Sequence, residues 1–211
     1  MNLEIIQKVA YDLFGTKRSH YFKEQGNKYY HGQRVAKLAI TLKNIILPDD
    51  RQYNDIITVA AWFHDISNGD DDHAKKGAKV TRDVLSNYCS QDEINKICEI
   101  ISDHDNRSTN QDFSNYAKIH QDADHLDHFG TFDIWSTFIH AVPNGKSMED
   151  IVNIYQYIRP AEFEIYRREL NFEISKKIFD EKFKFVEQFG KRFAVESTGE
   201  IWNLETILRT E

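Results

Sequence analysis

The sequence is short of glycine and proline, with nine and three in 211 residues, about half the usual combined share of roughly 12%. So few turn formers argue against a turn-rich β-sandwich or barrel and against a glycine-rich linker. Cysteine is scarce as well. Cys89 and Cys98 stand nine apart in a helical pattern without a CxxC, which fits buried reduced thiols rather than a disulfide framework. No apolar run approaches the ~18 residues of a membrane span. The longest, Ile56 to Phe63, is eight residues and includes Thr58. Met1-Asn2-Leu3-Glu4 has no basic segment leading into an apolar one, so no signal peptide and a cytoplasmic protein are the expectations. A basic stripe is missing too, which disfavours nucleic acid as a partner. Asn144-Gly145-Lys146-Ser147 resembles the end of a phosphate-binding loop, but His140 stands where its first glycine would be.

What is present is a core and an uneven charge. Apolar residues make up 40% and aromatics 13%, enough for a folded domain despite 29% charged residues. The net charge is −7, yet residues 49–133 hold 18 acids against 8 Lys+Arg, and the remainder is slightly basic. Of those 18 acids 16 are Asp, although Glu is the better helix former, and eight of the nine histidines lie between His31 and His140. Concentrated Asp and His call for a chemical reason.

Helical periodicity dominates, and an all-α fold is predicted. Leu3, Ile6, Val9/Ala10 and Leu13/Phe14 form a first amphipathic helix stopping at Gly15, with a loop over Thr16–Tyr30. His31, Arg34/Val35, Leu38 and Leu42 give a second helix, and Asp55–Asp65 a third, apolar on nearly every side. Asp72 is the expected N-cap of a helix from His73, and Ser90-Gln91-Asp92-Glu93 has the form of a capping box. Helices are expected over Tyr116–Phe129 and Phe132–Ala141. Beyond Pro143-Asn144-Gly145, Met148–Ile158 and Ala161–Phe193 read as long helices broken at Pro160. The stripe Phe179, Phe183, Val186 and Phe189/Phe193 is read as helix packing. These signals divide the chain into a helical core, residues 1–145, and a C-terminal extension, 146–211, expected to pack on it and contribute to a homodimer.

His64-Asp65 ends the most apolar helix. A carboxylate buried there needs a partner, and imidazole with carboxylate is a ligand set for a divalent metal. His31 stands about thirty residues earlier, and Gln121-Asp122-Ala123-Asp124-His125-Leu126-Asp127 about sixty later. This order, H … HD … D, resembles the HD-domain superfamily of metal-dependent phosphohydrolases over about residues 20 to 140. Asp122 to Asp127 is similar to the D-A-D-x-L-D segment of the small bacterial HD hydrolases, some of which split nucleoside triphosphates.

The resemblance implies an HD-domain helical bundle with additional C-terminal helices. It implies that His31, His64, Asp65 and Asp124 are ligands of one divalent ion (Mn, Fe, Co, Ni, Mg or Zn). Asp124 is preferred over Asp122. In HD enzymes with two ions, later histidines complete the second site, which makes His73 and His104 candidates, with Asp65 bridging. Asp65, His104 and Asp127 are expected in catalysis, and Arg34, His73 and Lys76 in binding the substrate. Lys75 and Lys79 are further cations near His73. His120 and His128, at i±4 from Asp124, are read as supporting or surface residues. A glutamate found three residues after the HD Asp in some relatives is Asn68 here. The activity implied is hydrolysis of a small phosphorylated metabolite, a nucleotide first, by water whose pKa the ion lowers toward ~7. Two alternatives remain: a di-iron oxygenase of the same fold, and a non-catalytic metal-binding sensor or interaction domain.

Overall fold

The computed structural model describes residues 1–18, 24–107 and 111–209. It is all-α: no β-strand occurs among the described residues, and the one antiparallel bridge joins Arg18 and Gln25. The helices are α1 (Leu3–Phe14), α2 (Asn27–Ile46), α3 (Asn54–Phe63), α4 (His73–Leu85), α5 (Gln91–Asp103), α6 (Asn115–Asp127), α7 (Thr131–Ala141), α8 (Met148–Asn153), α9 (Arg159–Arg168), α10 (Glu173–Ser197) and α11 (Leu204–Leu208). Part of the loop expected over Thr16–Tyr30 lies outside the described residues.

The chain forms two compact units. The first comprises Met1–His128 and Glu169–Lys176, the second Phe129–Arg168 and Lys177–Glu211. In the first unit α3 is the central element. Ile57, Val59, Ala60, Ala61 and Phe63 are wholly buried, and α1, α2, α5 and α6 pack around them. Burial on every side matches the absence of a polar stripe in this segment. The approach of α2 to α3 is close: a Cβ on Gly32 would stand 2.8 Å from the Ala61 carbonyl oxygen and 3.1 Å from Trp62 Cα. Glycine at this position lets His31 reach the end of α3.

Several local expectations hold, and three change. The expected Ser90/Glu93 capping box is complete, and a cap not read from the sequence, Asn2, accepts from Ile5 N–H (3.2 Å) at the start of α1. In contrast, α2 begins at Asn27, directly after Gly26 in the left-handed region (φ 72°), so His31 lies a full turn inside it. Asp72 does not cap α4 with its side chain. It adopts φ 59°, a conformation Asp tolerates better than most residues, and its carbonyl accepts the first helical bond, from Lys76 N–H. Nor does the C-terminal helix break at Pro160. Pro160 is the second residue of α9, and the helix runs on from α8 through a π-helical turn, Ile154–Ile158, whose wider winding precedes the residue that cannot donate. The break falls instead at Glu169–Phe172, where Leu170 is buried and Asp122 of α6 accepts bonds from Asn171 N–H (2.8 Å) and Phe172 N–H (3.1 Å).

In the second unit the aromatic stripe is core. Phe179 and Val186 are buried, Phe163 lies against Phe179 and Phe183, and Phe189 and Phe193 close on Phe138. Arg159 pairs with buried Asp133 at 2.7 Å.

Candidate metal centre

Three elements of the first unit converge on one cluster. His31 comes from α2, His64 and Asp65 from the end of α3, and Asp124 from α6. Asp122 and Asp124 are two residues apart on a helix, hence about 200° apart around it. Asp122 caps the 169–172 segment, and Asp124 faces the histidines. The preference for Asp124 thus has a geometric basis.

The donor atoms crowd together. His31 Nε2 lies 3.2 Å from His64 Nε2 and 3.1 Å from Asp124 Oδ1. His64 Nε2 is 3.5 Å from the same Asp124 oxygen and 3.8 Å from Asp65 Oδ1. Each imidazole has its other nitrogen engaged: His31 Nδ1–H donates to Asp127 Oδ2 (2.8 Å), and His64 Nδ1–H to the Ala61 carbonyl (2.9 Å). Their Nε2 atoms are thereby left to face the carboxylates and each other. This arrangement requires positive charge between the donors, either a proton or a cation. Ligands ~2.1 Å from one ion stand about 3.0–3.4 Å apart in octahedral or tetrahedral geometry, close to these separations. The donor set fits a divalent ion.

Electrostatics point the same way. Burial pulls His31 down, but its bonds to Asp124 and Asp127 outweigh that and raise it to about 10. His64 is raised too, burial being overcome by Asp65 and Asp124. Burial works against ionised Asp124 and Asp65, yet His128, His31 and His64 hold Asp124 well below its usual value, and His64 and His31 bring Asp65 to about 2. The carboxylates are thus ionised and ready to hold a cation.

Neighbours fix these side chains. Asn68 Nδ2 donates to Asp65 Oδ2 (3.0 Å), so this amide orients the carboxylate and cannot carry a proton for it. Arg34 grips Asp127 through Nε (2.9 Å) and Nη2 (2.8 Å), making a chain Arg34–Asp127–His31. Asp127 therefore bridges Arg34 and His31, where a substrate contact at Arg34 and a catalytic carboxylate at Asp127 were expected. Lys28, not anticipated from the sequence, donates to the carbonyls of Asp65 and Asn68 (3.1 Å each) and places a cation at the end of α3.

His104 and His73 adjoin the cluster. His104 is buried, donates Nδ1–H to the Ile101 carbonyl (2.7 Å), and has its ring 5.0 Å from that of His64 and 5.1 Å from that of His73. Burial, then the neighbouring His64, lowers its pKa and favours the neutral ring. Asp65, His73 and His104 form a second group with ligand atoms within 4.8 Å of one another, so Asp65 is common to two potential ion sites. His128 stands exposed, 3.6 Å from Asp124 Oδ1, and groups with His31 and Asp124. His120 is wholly buried, not on the surface, with its ring 5.1 Å from that of His64 and neither nitrogen partnered. Lys76 is exposed on α4. Arg107, also unanticipated, directs Nη2 toward Asp124 Oδ2 at 4.0 Å.

Comparison with known proteins bears on the fold that carries this cluster. Residues 29–128, just under half of the chain, match the family model described as the HD domain. Among solved structures it is similar to an HD-superfamily hydrolase from Bacillus thuringiensis, at 22% identity and TM-score 0.69, covering 94% of this chain and 97% of that one. It is also similar to Bacillus subtilis YpgQ in complex with ADP, at 18% identity and TM-score 0.63, over 96% of each chain. A Listeria innocua protein matches at 23% identity and TM-score 0.61, over 94% of this chain and 98% of that one. At these identities the likeness establishes the fold. None of the curated proteins matches the sequence.

Proposed function

We propose that the protein is a metal-dependent phosphohydrolase that cleaves a phosphoester or phosphoanhydride of a small metabolite, a nucleotide foremost. One observation carries this reading: His31 Nε2, His64 Nε2 and Asp124 Oδ1 meet within 3.1–3.5 Å, with both Nδ1 atoms already engaged. The HD-domain match supports hydrolysis, and the ADP bound by YpgQ supports a nucleotide. In this reading His31, His64, Asp65 and Asp124 hold the ion. Lewis acidity supplied there brings the pKa of water toward ~7 and offsets charge on phosphoryl oxygens. Asp127, with Arg34 behind it, keeps His31 turned inward. His104 offers a neutral Nε2 that can accept a proton or, with His73 and Asp65, hold a second ion.

The test is a screen of metal-free protein reloaded with Mn, Co, Ni, Mg, Zn or Fe against nucleoside mono-, di- and triphosphates. Release of phosphate or pyrophosphate, lost in His64→Ala, is the expected result; no hydrolysis with any ion overturns the reading. The Asp65/His73/His104 group would equally serve a di-iron oxygenase. Oxygen uptake by the Fe-loaded protein, without phosphate release, identifies that alternative.

A further inference from the structure

Two arginines stand beside the centre, and they are used differently. The Arg34 fork closes on Asp127, so that cation and anion offset each other. Among the described residues Arg107 has no such fork partner. Its side chain is four-fifths covered, Nη1 is buried without a hydrogen bond among them, and Nη2 approaches Asp124 Oδ2 only to 4.0 Å, a long ion pair beyond hydrogen-bonding distance. The nearest other acid in its segment, Asp105, turns to His73 at 3.7 Å and is solvent-exposed. A guanidinium keeps its charge at any physiological pH, and an unpaired buried donor costs ~1–3 kcal/mol.

The position of Arg107 is set by its backbone. Gln121 Nε2 donates to the carbonyls of Asp103 (2.7 Å) and Asn106 (2.9 Å), and Gln121 Oε1 accepts from Asn171 Nδ2 (3.0 Å). The segment leading from His104 to Arg107 is thus tied to α6, the helix that carries Asp124.

The charges can be balanced group by group. A divalent ion would offset Asp65 and Asp124, and Arg34 offsets Asp127, which leaves Lys28 and Arg107 without a carboxylate; the Asp65 and Asn68 carbonyls take up Lys28, and Arg107 keeps open N–H groups. An open N–H beside a cation site is what a tetrahedral oxyanion needs, with one oxygen toward the ion and another on the guanidinium.

We propose that Arg107, rather than Arg34, is the anchor for the phosphoryl group that reacts at the centre. The proposal rests on the hydrolase reading and adds a residue that contacts the substrate. Its test uses binding. Mn²⁺ affinity, and the affinity of the Mn²⁺-loaded full chain for inorganic phosphate, are measured by calorimetry for the parent, Arg107→Gln, Arg107→Lys and Arg34→Gln. Far-UV circular dichroism verifies folding. In Arg107→Gln phosphate affinity is expected to fall about 10- to 100-fold. Mn²⁺ affinity stays equal or rises, because a repelling charge is gone. Arg107→Lys keeps the charge without the fork and falls between. Arg34→Gln does the reverse, weakening Mn²⁺ through Asp127 and His31. Unchanged phosphate affinity in Arg107→Gln, no phosphate binding by the parent, or a parallel loss of Mn²⁺ and phosphate affinity in both Arg107 variants each overturns the proposal. If phosphate binding depends on Arg107 while no nucleotide is hydrolysed, the anion site stands and the hydrolase reading fails.

Discussion

Helix α2 buries charge at both ends, and the two clusters are built to different plans. Twelve residues separate His31 from Lys43, about 18 Å along the helix. At the Lys43 end everything is matched. The wholly buried ammonium donates to the Asp50 carbonyl (2.7 Å) and Asn54 Oδ1 (2.9 Å) and lies 3.6 Å from the Asp50 carboxylate. That carboxylate accepts from the Tyr116 hydroxyl (2.6 Å) and Gln52 N–H (2.7 Å). At the His31 end, imidazole nitrogens and carboxylates share one small space and require a proton or a cation between them. Burial of ionisable groups therefore does not by itself mark a working site. The difference lies in whether the set is complete: the first locks the α2–α3 connection, and the second is open to a ligand.

The largest expected effect separates the two ends directly. Asp124→Asn removes the carboxylate shared by both histidines and should lower Mn²⁺ affinity by ~10³-fold or more, about 4 kcal/mol, in calorimetry. Lys43→Met should leave Mn²⁺ affinity within about threefold and lower Tm by ~5–10 °C. Equal loss of Mn²⁺ affinity in Lys43→Met would contradict the separation. A smaller loss, ~10- to 100-fold, is expected for Asp127→Asn, which leaves the ligands in place and weakens the hold on His31 Nδ1. The gentlest probe is pH. With His31 raised to about 10 and His64 raised as well, the metal-free centre carries a proton that the ion must displace. Mn²⁺ affinity should therefore increase with pH between 6 and 8, by up to ~tenfold per unit for one proton released. A flat profile would mean that the histidines are already neutral.

Most residues of the candidate centre are legible in the sequence because their types and order are distinctive. His-Asp closes an apolar run, and the carboxylates at 122, 124 and 127 follow a helical count. The helices themselves follow from periodicity, and the Ser90 capping box from a four-residue pattern. What escaped depends on contacts across space. Nothing in the local sequence tells that Lys28 meets the carbonyls after α3, or that Arg107 comes beside Asp124, since both sit outside the periodic segments. Arg34 has the charge expected of a substrate contact, but only the fold reveals Asp127 opposite it. The break at Glu169–Phe172 was hidden because its cap, Asp122, comes from a different helix. Pro160, a breaker by composition, costs little where it stands.

Asp122 and Asp124 give α6 a defined angular phase. One carboxylate fastens the returning chain at Asn171 and Phe172 and the other serves the centre, so turning the helix to improve either bond carries the other out of reach. A single residue inserted at Ala123 would leave α6 helical, yet would rotate everything beyond by about 100°. The pair thus works as an indexing device: the chain can fasten its return segment only when the helix stands at the rotation in which the centre is assembled.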